Sequence, residues 1–172
     1  QVCRIWPEFG WGNGAIGPDE GNGDQAVWDF KCRNKPWLAG ALAAELLPVV
    51  PANFDLLVPV PLHPNRLRER GYNQSALLAK ALAAQSGIPW QPWLQRVRDT
   101  PHQTGLNRSQ RLKNLEDAFA LHKKADGVGK RIIIVDDVFT TGTTLRQCAK
   151  VLHQHGASQM IGVTLASGSG HF

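Results

Sequence analysis

The stretch Ile132-Ile-Ile-Val-Asp-Asp-Val-Phe-Thr-Thr-Gly-Thr-Thr-Leu145 constrains the fold more than any other part of the chain. Three consecutive isoleucines and a valine leave no polar face. An unbroken apolar run predicts a central parallel strand buried on both sides, here from Arg131 to Val135. The strand ends in two acids, Asp136 and Asp137, and a hydroxyl-rich turn centred on Gly142 follows. A helix is predicted from Thr143 to His155, with Leu145, Cys148, Ala149 and Leu152 on one face and Gly156 closing it. Strand, short turn and helix in this order form half of a βαβ unit, and Ile161, Val163 and Leu165 supply the next strand.

The rest of the chain repeats the alternation. Leu38, Leu42, Ala43, Leu46 and Leu47 recur at helical spacing, and Pro48 stops that helix. Leu56, Leu57, Val58 and Val60 form a short apolar strand near Pro59 and Pro61. Residues 75–86 read as an amphipathic helix, with Asn73 as N-cap and Gly87 as stop. Residues 89–98 read as an irregular edge strand, and 107–118 as a helix. The fold class is therefore α/β, a mainly parallel twisted sheet flanked by helices. A chain of 172 residues suits one such domain. Residues 10–25 hold Gly10, Gly12, Gly14, Gly17, Gly21 and Gly23 and read as a flexible loop or frayed arm. They do not read as a phosphate loop, because no strand is predicted before them and no helix after. Trp6, Phe9 and Trp11 beside the arm either pack or contact a partner.

The end of the isoleucine strand has the chemistry of a ligand site. In open α/β sheets ligands bind beyond the carboxyl ends of strands. The helix start offers unpaired N–H groups and the positive end of its dipole, which suits a phosphate. Thr140, Thr141, Thr143 and Thr144 add hydroxyl donors, and Gly142 allows close backbone approach. Asp136 and Asp137 suit the opposite task, accepting hydrogen bonds from a sugar diol or holding a hydrated Mg²⁺. A Walker B acid pair is a rival, but it requires a P-loop. Gly127-Val-Gly-Lys130 lacks the first glycine, and Arg131 stands where Ser or Thr is needed. No G-x-G-x-x-G follows a strand. The plainest rival has Asp137 and Thr140 merely capping the helix.

Charge is concentrated in the middle of the chain. Residues 66–113 carry nine basic and two acidic side chains, whereas residues 1–65 carry four basic and seven acidic ones. Such a block implies a polyanionic partner or a solvated face. A hydrophobic fraction of 42% excludes disorder, collagen and coiled coil for the bulk of the chain. No apolar run is long enough to span a membrane. No charged-then-apolar leader is visible at the first residues. Cys3, Cys32 and Cys148 are widely spaced and odd in number, which fits reduced thiols in a cytoplasm better than a disulfide framework. Cys148 reads as core packing.

The segment from Ile132 to Leu145 resembles the phosphoribosyl-pyrophosphate (PRPP) signature of type I phosphoribosyltransferases. Two further segments, Val58 to Gln74 and Gln103 to Phe119, narrow the resemblance to the ComF/GntX branch of that superfamily. The likeness runs from about Trp28 to Leu165. It implies a phosphoribosyltransferase-like domain over 28–172, with a glycine-rich arm or hood remnant over 1–27. It implies that Asp136 and Asp137 contact the ribose hydroxyls and that Thr140, Thr141, Gly142, Thr143 and Thr144 bind the 5′-phosphate. Leu62 and His63 fall where such enzymes place a pyrophosphate loop. Arg66, Arg68 and Arg70 beside them either neutralise pyrophosphate or form a solvated turn. Asn73 and Gln74 either cap the next helix or line the site. Gln103, Arg108, Arg111 and Asn114 fall in the region of the superfamily's flexible catalytic loop, with Arg111 as a catalytic candidate, or else form an exposed basic helix. The resemblance implies PRPP with Mg²⁺, no directly bound metal, and association with DNA uptake in natural transformation. Single-stranded DNA and other competence proteins are the implied partners, DNA being favoured also by six tryptophans and the basic middle third. Many members of the branch carry a four-cysteine zinc module; no CxxC stands here, so zinc is not predicted.

Overall fold

The structure, a computed structural model, describes residues 2–5, 12–14, 23–33, 35–98, 118–122 and 125–167. In chain order the elements are β1 (Val2–Ile5), β2 (Gly12–Gly14), α1 (Gly23–Cys32), α2 (Ala39–Leu46), β3 (Leu56–Pro59), α3 (Pro64–Arg70), α4 (Gln74–Ser86), β4 (Leu94–Arg96), β5 (Phe119–Leu121), β6 (Arg131–Phe139), α5 (Thr143–Gln154) and β7 (Gln159–Ser167). Five strands form one sheet in the order β2-β1-β7-β6-β3. β6 lies between two parallel neighbours, with Leu57 opposite Ile133 on one side and Ile161 opposite it on the other. β1 and β2 extend the far edge antiparallel.

The isoleucine run explains the layering. Successive strand residues point to opposite faces, and each face of β6 has its own core. Ile133 and Val135 pack with Leu57, Ile161 and Val163 against Leu42, Leu46, Leu78 and Leu82 of α2 and α4. Ile132 and Ile134 pack with Leu56, Val58 and Met160 against Leu145, Cys148 and Leu152 of α5 and against Leu94 and Phe119 of the β4–β5 ribbon. Residues 132–135 are fully buried, as a strand covered on both faces requires. The alternation slips after Val135: Val138 packs against the same core as Ile133 and Val135. The two acids stand at that slip.

Four expectations change. The arm over 10–25, expected as a flexible loop or frayed arm, holds strand β2 and the start of α1; strand β1 before it and helix α1 also remove the ground on which a phosphate loop is set aside. Its glycines hid the strand, because Gly12 and Gly14 have no side chains to show a period. Residues 89–98 split: Leu57 N–H donates to the Pro89 carbonyl and Gln91 N–H to the Leu57 carbonyl, beside β3, whereas β4 leaves to pair with β5. The turn of arginines after Leu62 is the helix α3, and β6 runs on four residues past Val135. The helix expected over 107–118 lies outside the described residues except for Ala118.

Candidate phosphate and diol site

β3 and β6 run parallel, so their carboxyl ends lie on the same edge of the sheet. The Val60 N–H donates to the Val135 carbonyl at 2.9 Å and carries the pairing to the point where the acids begin. Asp136 and Asp137 each fold a side chain back onto the next residue. Asp136 Oδ1 accepts from the Asp137 N–H, and Asp137 Oδ1 accepts from the Val138 N–H, both at 2.9 Å. Asp136 Oδ1 also accepts from the Ser75 hydroxyl at 2.9 Å, reaching across from α4. Burial and then the neighbouring Asp137 charge push the Asp136 carboxyl up to about 8, against the Ser75 and Asp137 N–H donors that pull it down. Near neutral pH the Asp136 carboxyl therefore keeps its proton. A protonated carboxyl can both donate to and accept from vicinal hydroxyls.

The threonine turn follows at once. Gly142 is the N-cap of α5, with φ of 69°, in the left-handed region that a side chain disfavours. Neither Asp137 nor Thr140 occupies the cap, so the simple capping explanation for these residues fails. A glycine N-cap offers no side-chain acceptor to the first turn, whose N–H groups and dipole stay available to an anion. The Thr141 and Thr143 hydroxyls meet at 2.9 Å across the turn. Gly142 and Thr143 are buried, Thr141 and Thr144 are half-buried, and Thr140 is exposed.

The structure brings Leu62 and His63 to the end of β3, both half-buried. His63 is the N-cap of α3, and its Nδ1 accepts from the Asn65 N–H at 3.3 Å. Arg66 and Arg70 stand four residues apart on α3 and so share a face; Arg66 lies 4.0 Å from Glu69. Asn73 caps α4: its Oδ1 accepts from the Ala76 N–H at 3.3 Å, while its Nδ2 donates to the Val60 carbonyl at 2.9 Å. One side chain thus ties the start of α4 to the end of β3. Gln103, Arg108, Arg111 and Asn114 lie outside the described residues. Ser75 was missed by sequence reasoning. Its only signal was position, two residues after a capping asparagine, where a hydroxyl passes for ordinary helix-start chemistry. Cys148 is buried and free, as expected for packing; burial, and then the Asp136 charge, push its thiol up.

The fold is an α/β sheet in which a buried strand delivers two adjacent acids to a glycine-capped helix start. The profile of the phosphoribosyl transferase domain family matches residues 73–170, more than half of the chain, and the chain belongs to that family. Competence protein F of Haemophilus influenzae is 36% identical over 141 residues, covering 76% of this chain and 62% of that protein. The DNA utilization protein YhgH of Salmonella typhi is 41% identical over 105 residues, covering 60% of this chain and 45% of its own length. The chain thus spans about half to two thirds of the length of these relatives, which bear out the ComF-type likeness. In fold, the allosteric regulatory enzyme of purine biosynthesis superposes with a TM-score of 0.56 at 18% identity, over 84% of this chain and 31% of that one. Among the described residues no helix is long and apolar enough to cross a membrane.

Proposed function

We propose that the chain binds PRPP at the carboxyl end of β6 and, as an enzyme, transfers its phosphoribosyl group to a nucleophile with release of pyrophosphate. The observation that carries this reading is the adjacent acid pair, its Asp136 held by Ser75 and the Asp137 N–H, standing immediately before a glycine-capped helix start. Thr140, Thr141, Gly142, Thr143 and Thr144 hold the 5′-phosphate, and Asp136 and Asp137 hold the ribose hydroxyls. Leu62, His63, Arg66 and Arg70 meet the pyrophosphate. Gln103, Arg108, Arg111 and Asn114 cover the reacting centre and keep water out. The bond from C1 of the ribose to the pyrophosphate oxygen breaks, and its electron pair leaves with the pyrophosphate. A lone pair of the acceptor forms the new bond to C1, and the acceptor's proton passes to solvent. The acids stabilise the electron-poor ribose between these events by charge and position.

Among the described residues no group of three or more His, Cys, Asp or Glu side chains could hold a metal. Mg²⁺ would arrive with PRPP, Asp136 and Asp137 being the nearby carboxylates that would face it, and would offset pyrophosphate charge. In this reading residues 1–27 are the hood that meets the acceptor, and 28–172 form the transferase-like unit. In this reading the protein works in the cytoplasm in DNA uptake, alongside other competence proteins; the names competence protein F and DNA utilization protein YhgH support the link to DNA.

A second reading is a binding module for single-stranded DNA, or a PRPP sensor, without turnover. It is favoured by Trp37, 70% exposed and open to base stacking, and by the basic residues 66–113. Calorimetry with PRPP, with and without Mg²⁺, tests the primary reading. Binding that needs Mg²⁺ and is lost in Asp136→Ala is expected. Unchanged affinity in that variant would sink the assignment, and affinity for single-stranded DNA that falls steeply with salt would then favour the second reading.

A further inference from the structure

The proposed site leaves one buried group without a role. Ser75 sits in the first turn of α4, is 5% exposed, and donates its hydroxyl to Asp136 Oδ1. The same oxygen accepts from the Asp137 N–H. A carboxyl oxygen accepts two hydrogen bonds, so these two donors fill Oδ1, and a ligand meets the group through Oδ2, beside the side-chain hydrogen bond to Asp137. Resting on the ribose reading of Asp136, we infer that Ser75 is the positioning residue of the diol subsite, holding the Asp136 carboxylate so that Oδ2 meets the ribose hydroxyls.

The elements around Ser75 suit a fixed holder. Serine has one rotatable bond before its oxygen, so its reach is set by the backbone of α4. That backbone is pinned before and after Ser75: Asn73 joins the helix start to the Val60 carbonyl, and its Oδ1 takes the Ala76 N–H. The adjacent Gln74 is 2% exposed. The holder therefore rides on the segment that ends β3, and the acid it holds rides on β6. A ribose gripped by Asp136 is thereby registered against groups from two neighbouring strands. A hydrogen bond in a partly dry site is stronger than the same bond in water, and leaving it unmade there costs more. The Asp137 N–H alone leaves the carboxylate free to swing about its last bond. A hydroxyl donor on a separate element removes that freedom.

A structural role alone would affect every ligand of the site equally, whereas a role through Asp136 affects only ligands that present the diol. Three probes separate them: ribose 5-phosphate, 2-deoxyribose 5-phosphate and inorganic phosphate, titrated by calorimetry or ligand-observed NMR. In Ser75→Ala, affinity for ribose 5-phosphate is expected to fall about tenfold. Affinity for the deoxy sugar phosphate and for phosphate stays within about twofold, and Ser75→Thr restores most of the loss. Equal losses for all three probes, or no loss for ribose 5-phosphate, overturn the inference. Where threonine does not fit the buried site, the ratio between the first two probes in Ser75→Ala still decides. Wild-type protein that does not distinguish ribose 5-phosphate from its deoxy analogue refutes the diol reading itself. That result differs from a failure of Ser75 alone, in which wild type discriminates and the variant does so equally well.

Discussion

Asp136 is the residue on which structure and chemistry pull hardest against each other. Its carboxyl is raised to about 8, from an ordinary value near 3.8, first by burial and then by Asp137. A raised carboxyl stabilises the fold fully below the unfolded value and loses that contribution as pH climbs through the folded one. The unliganded protein therefore gives up stability between about pH 4 and pH 8 at this position. Asparagine removes the conflict. Its carbonyl can take the Ser75 and Asp137 donors, and its amide can donate to the Asp137 carboxylate. Asp136→Asn should therefore melt a few degrees higher than wild type at pH 8, on the order of 1–2 kcal/mol allowing for water at a half-buried site, with little difference at pH 4. Thermal melts at the two pH values check it. A variant equally or less stable at pH 8 would show that the acid pair is not strained. The same substitution should weaken ribose binding, so function and stability part company at one atom.

At the scale of elements, the turn between β6 and α5 depends on a single glycine. Alanine at Gly142, with φ of 69°, meets left-handed backbone that costs a non-glycine residue about 1–2 kcal/mol. Gly87 ends α4 with φ of 77°, and a Cβ added there would meet nothing within 4 Å, so it serves as a control. Gly87→Ala should cost about 1 kcal/mol and leave phosphate affinity unchanged; Gly142→Ala should cost a similar amount and lose phosphate binding. Urea unfolding with parallel phosphate titration compares them, and equal phosphate affinities would remove Gly142 from the site. These elements differed in legibility. The buried strand, the acid pair and α4 were readable because unbroken apolar runs, paired carboxylates and an Asn cap have few structural meanings. α3 was readable in principle: Pro64 opens it and Gly71 ends it in the left-handed region. Its arginines drew attention to charge instead. β1 and β2 were not readable, since a strand that pairs at a sheet edge in three or four residues leaves no period to detect. The bond from Ser75 to Asp136 spans sixty-one positions and could come only from tertiary packing.

Across the whole molecule, the sheet is locked at both ends of the parallel pair β3 and β6. At the carboxyl ends stands the ligand site, reached through the Val60–Val135 hydrogen bond. At the opposite ends Asp55 grips Arg131. Oδ1 takes Nη2 at 2.7 Å, Oδ2 takes Nε at 3.1 Å and the Arg131 N–H at 2.8 Å, and the Asp55 N–H donates to the Arg131 carbonyl. The Arg131 side-chain fork, and then its backbone donor, hold the Asp55 carboxyl well below the usual carboxylate range. The sign is opposite to that of Asp136. A depressed carboxyl contributes stability above its unfolded value, near pH 4, and loses it as pH falls toward the folded value. The two aspartates therefore shape the stability profile in adjoining windows, Asp55 eroding it as pH falls below about 4 and Asp136 as pH rises from about 4 to about 8. Asp55→Asn should lower stability at pH 6 and flatten the fall below about pH 4, without touching the side above it. Adding Asp136→Asn should flatten that side too, and the two effects should add, since the residues sit at opposite ends of the strands and share no hydrogen-bond partner. Melting temperatures from about pH 3 to about pH 9 for wild type, both single variants and the double variant would test this. A double variant that departs from additivity would mean that β3 and β6 transmit strain from the lock to the ligand site. Additivity would mean that the acid pair can be retuned without loosening the sheet that presents it.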